Sequence, residues 1–276
     1  MSTVTVRSEN SLFQKLVVLK TNRVKRGRYG EFLVEGVRNL NAAKRFGWDI
    51  RAVIYISGGK LSDWAEDYIS SAGADKIELT AELMQKLSGK TDVSELMAVV
   101  GMKDDDPARI TFRGTPLLAL FDRPSNHGNL GTMIRSCDSC GVDGLIITGH
   151  AADLYAPETV AATMGSFFKV PCIRIQSNEG IEDYISSLRQ RYPDLITVGT
   201  TAHKEKTLWD VDLTRPTVFF IGNETDGLSA FLKTGCDVQA TIPMAEDSFA
   251  SSFNVACSAT VMFSEAMRQR MTGAPV

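Results

Sequence analysis

Four short, continuous apolar runs set the strongest limit on what this chain can fold into: Leu117-Leu-Ala-Leu-Phe121, Leu145-Ile-Ile-Thr148, Leu195-Ile-Thr-Val198 and Val218-Phe-Phe-Ile221. Short runs of this kind, separated by helical stretches, imply a parallel sheet covered on both faces, so the fold class is α/β. A last helical stretch, Phe253 to Arg270, places Phe253, Ala256, Cys257, Thr260, Val261 and Phe263 at helical spacing and is expected to pack on the body or on a second subunit. Alternation holds upstream as well. Helical spacing is predicted over Ser11–Lys20, followed by a basic loop, a strand at Glu31–Glu35, a helix from Val37 to Phe46 and a strand at Arg51–Ile56. A helix near Ser62–Ser71, a strand at Lys76–Leu79, a helix at Ala81–Leu87 and a strand at Leu96–Val100 complete this first unit. The stretch Gly101 to Pro116, with its Asp run, prolines and glycines, breaks every period. Two domains are therefore expected, residues 1–103 and 115–276, joined by a linker at 104–114.

With 276 residues, 43% hydrophobic and 23% charged, a sizeable core is available and wholesale disorder is excluded. No apolar run approaches the roughly 20 residues of a membrane span, and the first residues lack a secretory apolar region, which gives the expectation of a cytoplasmic protein with no membrane partner. Five cysteines, an odd number thinly spread, argue against a secreted disulfide framework. The net charge of −3 hides an asymmetry. Residues 1–50 carry ten Lys/Arg against four Asp/Glu, and the remainder twenty against twenty-nine. Five of the basic residues fall between Lys20 and Arg28. Attraction to a phosphate backbone acts over about a Debye length, so this patch can hold nucleic acid on an otherwise acidic body.

Three polar, glycine-bearing segments follow strands or lead into helices. In the first, Asp122-Arg-Pro-Ser-Asn126-His-Gly128-Asn129-Leu-Gly131-Thr-Met-Ile-Arg135, a turn opens a helix and is expected to leave backbone N–H groups free for an anion or a ligand edge. Only Gly128-x-x-Gly131 of a dinucleotide fingerprint is present, so nicotinamide binding is a weak reading. The second, Gly222-Asn223-Glu224-Thr-Asp-Gly227, puts a carboxylate and an amide at a strand's carboxyl end, where α/β folds bind ligands. The third runs from Ile242-Pro-Met244 to Ser252-Phe-Asn254 and into the last helix. Its serines read as ordinary caps, whereas an amide just inside a helix has no propensity advantage, which makes Asn254 a candidate for function.

In this order the segments resemble the three motifs of the SpoU/TrmH family of RNA 2′-O-ribose methyltransferases, within the SPOUT class. Asn129-x-Gly131-x-x-x-Arg135 resembles motif one, Gly222-Asn-Glu224-x-x-Gly227 motif two, and Ile242-Pro-Met244 with Ser252-Phe-Asn254 motif three. The similarity covers roughly residues 115–270, and Phe32-Leu-Val-Glu35-Gly36-x-Arg38 resembles the amino-terminal, L30e-like substrate domain of longer members. Within the family the chain is most similar to the avilamycin-resistance group of 23S ribosomal RNA methyltransferases. Two departures stand out: Phe253 occupies a position that is usually Leu, and the stretch between Met244 and Ser252 is about two residues longer than the pattern.

The resemblance implies a carboxy-terminal trefoil knot, a homodimer and S-adenosylmethionine as cofactor. It places the cofactor against Gly222, Ile242 and Phe253, beside Met244, with Thr200 and Asn223 lining the pocket. It makes Arg135 the candidate activator of the ribose hydroxyl. Because a guanidinium stays protonated, Arg135 is expected to grip the adjacent phosphate and stabilise developing alkoxide rather than act as a base. Asn129 and Glu224 would position Arg135 and the substrate, and Ser252 and Asn254 would complete the pocket. Arg23, Lys25, Arg26, Arg28 and Arg38 are the expected RNA contacts, with ribosomal RNA favoured over transfer RNA. No metal is expected: Cys137-Asp-Ser-Cys140 lacks a second pair, and His127, His150 and His203 are scattered. Trp48 and Trp64 are assigned to packing in the first domain.

Overall fold

The computed structural model describes residues 2–201 and 206–273. The chain divides into two compact units, Met1–Lys103 with Tyr155–Lys169, and Asp104–Leu154 with Val170–Val276.

The first unit contains β1 (Thr3–Val6), α1 (Ser11–Thr21), α2 (Arg23–Tyr29), β2 (Glu31–Glu35), α3 (Val37–Arg45), β3 (Ile50–Ile56), α4 (Asp63–Ser71), β4 (Asp75–Leu79), α5 (Ala81–Ser88) and β5 (Leu96–Gly101). Its five-stranded sheet runs β1-β4-β3-β5-β2, with β1 and β3 parallel to β4 and β5 antiparallel to both β3 and β2. One core cluster joins Phe13, Leu16 and Leu19 of α1 to Leu33, Ile54, Leu79 and Val99 of the sheet and Met84 of α5.

Two elements depart from the sequence expectation. β1 precedes the first predicted helix and closes the sheet's edge on β4. The expected basic loop is the helix α2, started by Asn22, whose side chain accepts from Lys25 N, and stopped by Gly30 at a left-handed φ of 60°. Four closely spaced cations and a glycine hide that helix, because its seven residues carry no apolar period.

Residues 155–169, expected in the carboxy-terminal domain, complete this first core. They contain the short helix α7 (Pro157–Ala162) and a 3-10 turn at Ser166–Phe168. The Trp48 indole N–H donates to Phe168 O at 2.8 Å, and Phe32 lies edge-on to Tyr155, Phe167 and Trp48 with ring centroids 5.0–5.9 Å apart. Five aromatic rings thus bury one another here.

The second unit contains β6 (Leu117–Asp122), α6 (His127–Ser139), β7 (Gly144–Thr148), β8 (Cys172–Ile175), α8 (Asn178–Arg191), β9 (Ile196–Thr200), β10 (Thr217–Ile221), α9 (Ala230–Gly235), β11 (Val238–Ala240) and α10 (Val255–Thr272). Its six strands are all parallel, in the order β11-β9-β10-β6-β7-β8. Burial on both faces explains the unbroken apolar runs. On one face α8 sets Ile181, Ile185 and Leu188 against Leu118, Leu120, Ile146 and Val218. On the other, Phe263 of α10 meets Phe219 at 5.8 Å between centroids, and α10 packs along α6. Cys257 of α10 is exposed rather than turned to the core. The segment expected as a linker is fixed to this unit: Asp105 pairs with Arg174 at 2.8 Å, and Ile110 is buried over Gly144.

Candidate active site

Parallel strands end together, so the loops that follow β6, β9, β10 and β11 gather at one edge of the sheet. A cavity of about 430 Å³ opens there, a volume in the range of about 300–1,000 Å³ usual for small-molecule sites. Thr200, Gly222, Asn223, Ile242, Met244 and Phe253, the residues expected to hold a cofactor, all line it, as do Glu224 and Ser252. Sequence reasoning missed Leu228, Lys233 and Met262 in the same wall. Leu228 and Lys233 lie just beyond motif two, while Met262 belongs to the buried stripe of α10 and carries no local signal.

The floor is set by backbone packing. Thr200 Oγ1 accepts from Gly222 N at 3.2 Å, joining the ends of β9 and β10. A Cβ on Gly222 would stand 2.5 Å from both Gly227 C and Leu228 N, so only glycine lets the loop fold back on its own strand. That loop closes through reciprocal bonds, Asn223 N to Gly227 O at 2.9 Å and Gly227 N to Asn223 O at 3.1 Å.

Closure aims Glu224 at the start of α6. Its Oε2 accepts from Ser125 N at 3.0 Å and Ser125 Oγ at 2.9 Å, while Oε1 accepts from Asn126 N at 3.3 Å and Asn129 Nδ2 at 3.2 Å. Asn129 Oδ1 in turn accepts from Asn254 Nδ2 at 3.1 Å. Burial alone would raise the Glu224 carboxyl, but the bonds from Ser125, its own main chain and Asn129 outweigh it and hold the group below its ordinary value.

Of the backbone N–H groups around the opening of α6, those of Ser125, Asn126 and Asn129 are engaged. Asn126 caps the helix by accepting from Asn129 N, and the anion at this end is the chain's own Glu224. Gly128 and Gly131 lie within α6 rather than in a phosphate-binding turn. Asn254 also has a structural explanation: it is the cap of α10, accepting from Ala256 N and Cys257 N. Its amide N–H₂ still faces Asn129, so one side chain does both. Arg135 stands apart from this network. It is exposed on α6, about 9 Å along the axis from Asn129, and its guanidinium makes no hydrogen bond or ion pair among the described residues.

The cavity walls suit S-adenosylmethionine. Ile242, Met244, Phe253 and Leu228 offer apolar surface for a purine, Thr200 and Asn223 offer polar edges, and Glu224 and Asp226 offer negative charge beside a sulfonium.

Comparison with known proteins agrees with this site. Residues 116–264 match the SpoU rRNA Methylase family and residues 10–99 match the SpoU L30e-like domain. The chain belongs to the SpoU rRNA methylase family. It is 41% identical over 269 residues to the 23S rRNA (uridine(2479)-2'-O)-methyltransferase of Streptomyces viridochromogenes, covering 97% of this chain and 93% of that protein. The crystal structure of the SpoU methyltransferase AviRb from Streptomyces viridochromogenes in complex with the cofactor AdoMet matches with a TM-score of 0.88 at 41% identity, over 96% of this chain and 100% of that one. An AdoMet-bound rRNA methyltransferase from Sinorhizobium meliloti matches with a TM-score of 0.82 at 25% identity, over 97% and 98% of the two chains.

In the SpoU L30e-like unit the expected RNA contacts divide. Arg23, Lys25, Arg28 and Arg38 are exposed. Arg26 is not: it is 4% exposed and its Nη1 donates to Leu19 O at 2.9 Å and Lys20 O at 2.7 Å. It closes the carboxyl end of α1, satisfying carbonyls that the helix leaves without partners, and cannot reach a phosphate. Lys20 does the same for α5, donating to Leu87 O and Ser88 O.

The remaining candidates are structural in this SpoU fold. Cys137 and Cys140 are buried with Cys172, and burial pushes all three thiols up, Cys172 to about 12. Among the described residues no group of three His, Cys, Asp or Glu is placed to hold a metal, and no helix is long and apolar enough to cross a membrane. Trp48 is in the aromatic core, and Trp64 donates to Asn41 Oδ1 at 2.9 Å. His150 is exposed, and His203 lies outside the described residues.

Proposed function

We propose that this chain transfers the methyl group of S-adenosylmethionine to a ribose 2′-hydroxyl of 23S ribosomal RNA. The observation that carries this reading is the Glu224–Asn129–Asn254 chain of hydrogen bonds beside a cofactor-sized cavity. Family membership and the 41% identity to a 23S rRNA 2'-O-methyltransferase support it.

Bound S-adenosylmethionine supplies an electrophilic methyl on a sulfonium. A ribose hydroxyl is a weak nucleophile, so the protein's task is to align it and to stabilise the charge that grows as its proton departs. Glu224 is saturated with donors and is a positioning group rather than a base. It holds Asn129, which holds Asn254, so the ends of α6 and α10 keep a fixed spacing at the cavity mouth. Arg135, whose guanidinium is uncommitted among the described residues, is suited to the phosphate next to the reacting ribose and to alkoxide stabilisation. Ser252 completes the wall. Lys25, Arg28, Arg38 and Arg23 on the L30e-like unit supply backbone contacts.

Homodimerisation, the trefoil knot, a cytoplasmic location and independence from metal belong to this reading through the family resemblance. The exposed Cys257 and half-exposed Val261 leave one flank of α10 open to a second copy, and sedimentation equilibrium tests that. The deciding experiment incubates the protein with methyl-labelled S-adenosylmethionine and separate pools of unmodified large-subunit, small-subunit and transfer RNA. Label in an alkali-resistant dinucleotide of the large-subunit pool is expected. Label in transfer RNA alone would move the substrate class, and absence of cofactor binding would overturn the reading.

A further inference from the structure

Arg123 follows β6 and belongs to none of the three motifs' polar positions, yet its backbone is held at a φ of 50°, the left-handed region that L side chains avoid. Five bonds hold it there. Its N–H donates to Thr148 O at 3.2 Å, and its Nε and Nη2 each donate to the Asp122 carboxylate at 3.1 Å. Its carbonyl accepts from Asn223 Nδ2 at 2.6 Å, and Nη2 also donates to Gly227 O at 3.2 Å. Asp122 is itself buried and fixed by Thr148 Oγ1 at 2.9 Å and by Ser229 N at 2.7 Å. Gly149 leaves the space: a Cβ there would stand 2.7 Å from Arg123 Cγ.

We infer that Arg123 is a positioning residue for the reaction, gripping the Asn223–Gly227 loop at both ends so that the cavity wall stays formed and Glu224 stays aimed at Asn129. The main-chain carbonyl takes the loop's first residue and the guanidinium its last. The left-handed turn is what points the carbonyl and the side chain of one residue at both. Asp122 serves Arg123 by fixing the guanidinium plane, and a lysine could reach only one of these acceptors at a time.

For its ligand this inference rests on the proposed cofactor, but the loop can be read without it. The experiment compares wild type with Arg123→Gly, which accepts the left-handed turn and keeps the carbonyl while removing the side chain, and with Arg123→Lys, which keeps an aliphatic stem and a charge but loses the guanidinium. Amide hydrogen exchange is followed across residues 222–229 in ligand-free protein, and S-adenosylmethionine affinity is measured by calorimetry. Arg123→Gly is expected to speed exchange of the loop amides about ten-fold while β6, α6 and α10 keep wild-type protection, and to weaken cofactor binding by a similar factor. Arg123→Lys should restore part of each. In turnover, kcat should fall with little change in KM for RNA. Unchanged loop exchange in Arg123→Gly overturns the inference, as does loss of protection spread evenly through the unit. If wild type binds no cofactor the proposed function fails, and the exchange result still decides the role of Arg123.

Discussion

Glu224 Oε1 accepts a hydrogen bond from Asn129 Nδ2 at 3.2 Å, across 95 residues of chain, and thereby places a full negative charge at the amino-terminal end of α6. Charge and helix dipole match there, which by itself contributes about 1 kcal/mol. Replacing the carboxylate by an amide keeps the shape and removes the charge, and it turns an N–H₂ toward the Ser125 donors. Glu224→Gln should lower kcat/KM by between about ten- and a hundred-fold, the equivalent of about 1.5–3 kcal/mol for a hydrogen bond to a charged group. Steady-state methyl transfer checks it, and a wild-type rate would remove Glu224 from the positioning chain.

Acid should dissolve the same arrangement. The Glu224 and Asp122 carboxyls are both held below their ordinary values: burial opposes this in each case, and hydrogen bonds from Ser125 and Asn129, or from Arg123, Ser229 and Thr148, prevail. A depressed folded-state value means that the stability each contributes is complete above the ordinary value, 4.5 for Glu224 and 3.8 for Asp122, and is lost as pH falls through the lower folded-state value. Cofactor affinity should therefore be indifferent to these two groups above their ordinary values, 4.5 and 3.8, and fall only at pH below them. Calorimetric titration across this range tests it, and a loss of affinity centred near neutrality would assign control to another group.

Arg135 offers the sharpest separation of chemistry from binding. Its side chain is exposed and bonded to no described residue, so truncation costs the fold little. Arg135→Ala should reduce methyl transfer by about a hundred-fold or more, the scale of a lost oxyanion donor, while leaving cofactor affinity and the melting temperature unchanged. Retained turnover would refute its proposed role.

Neighbouring cations on α2 should behave as opposites. Arg26→Ala leaves the Leu19 and Lys20 carbonyls without their donor in a buried place, at a cost of about 1–3 kcal/mol read as a lowered melting temperature. Lys25→Ala with Arg28→Ala should leave the melting temperature alone and weaken RNA binding, reducing the salt slope of the affinity by about two. Filter binding across a salt series distinguishes them. An unchanged slope would locate the RNA backbone elsewhere.

What could be read from the sequence, and what could not, follows the range over which each signal acts. The apolar runs at Leu117–Phe121 and Val218–Ile221 announce buried parallel strands because burial on both faces writes itself into consecutive residues. Most of the expected cavity wall is legible through three short motifs, each local in sequence. Arg26 reads as a surface cation in the sequence because its partners, the carbonyls that end α1, exist only once two helices are folded against each other. Asn254 reads as an amide inside a helix because sequence places a boundary only to within a residue or two, and here that margin separates an interior position from a cap. Just before α6 the N–H groups of Ser125 and Asn126 meet Glu224, a partner too distant in sequence for any local pattern to name. β1 has four residues, too few for a period to emerge from its polar flanks.

The rings that Tyr155, Phe167 and Phe168 contribute to the core around Phe32 and Trp48 have a consequence for how this protein can be made. The first unit lacks its last wall until residue 169 has left the ribosome, by which time β6, α6 and β7 of the second have already emerged. A gene fragment ending at residue 103 would encode a body with an apolar wound where those rings belong. A single cut in the gene after residue 103 would therefore part the first unit from a piece of its own core.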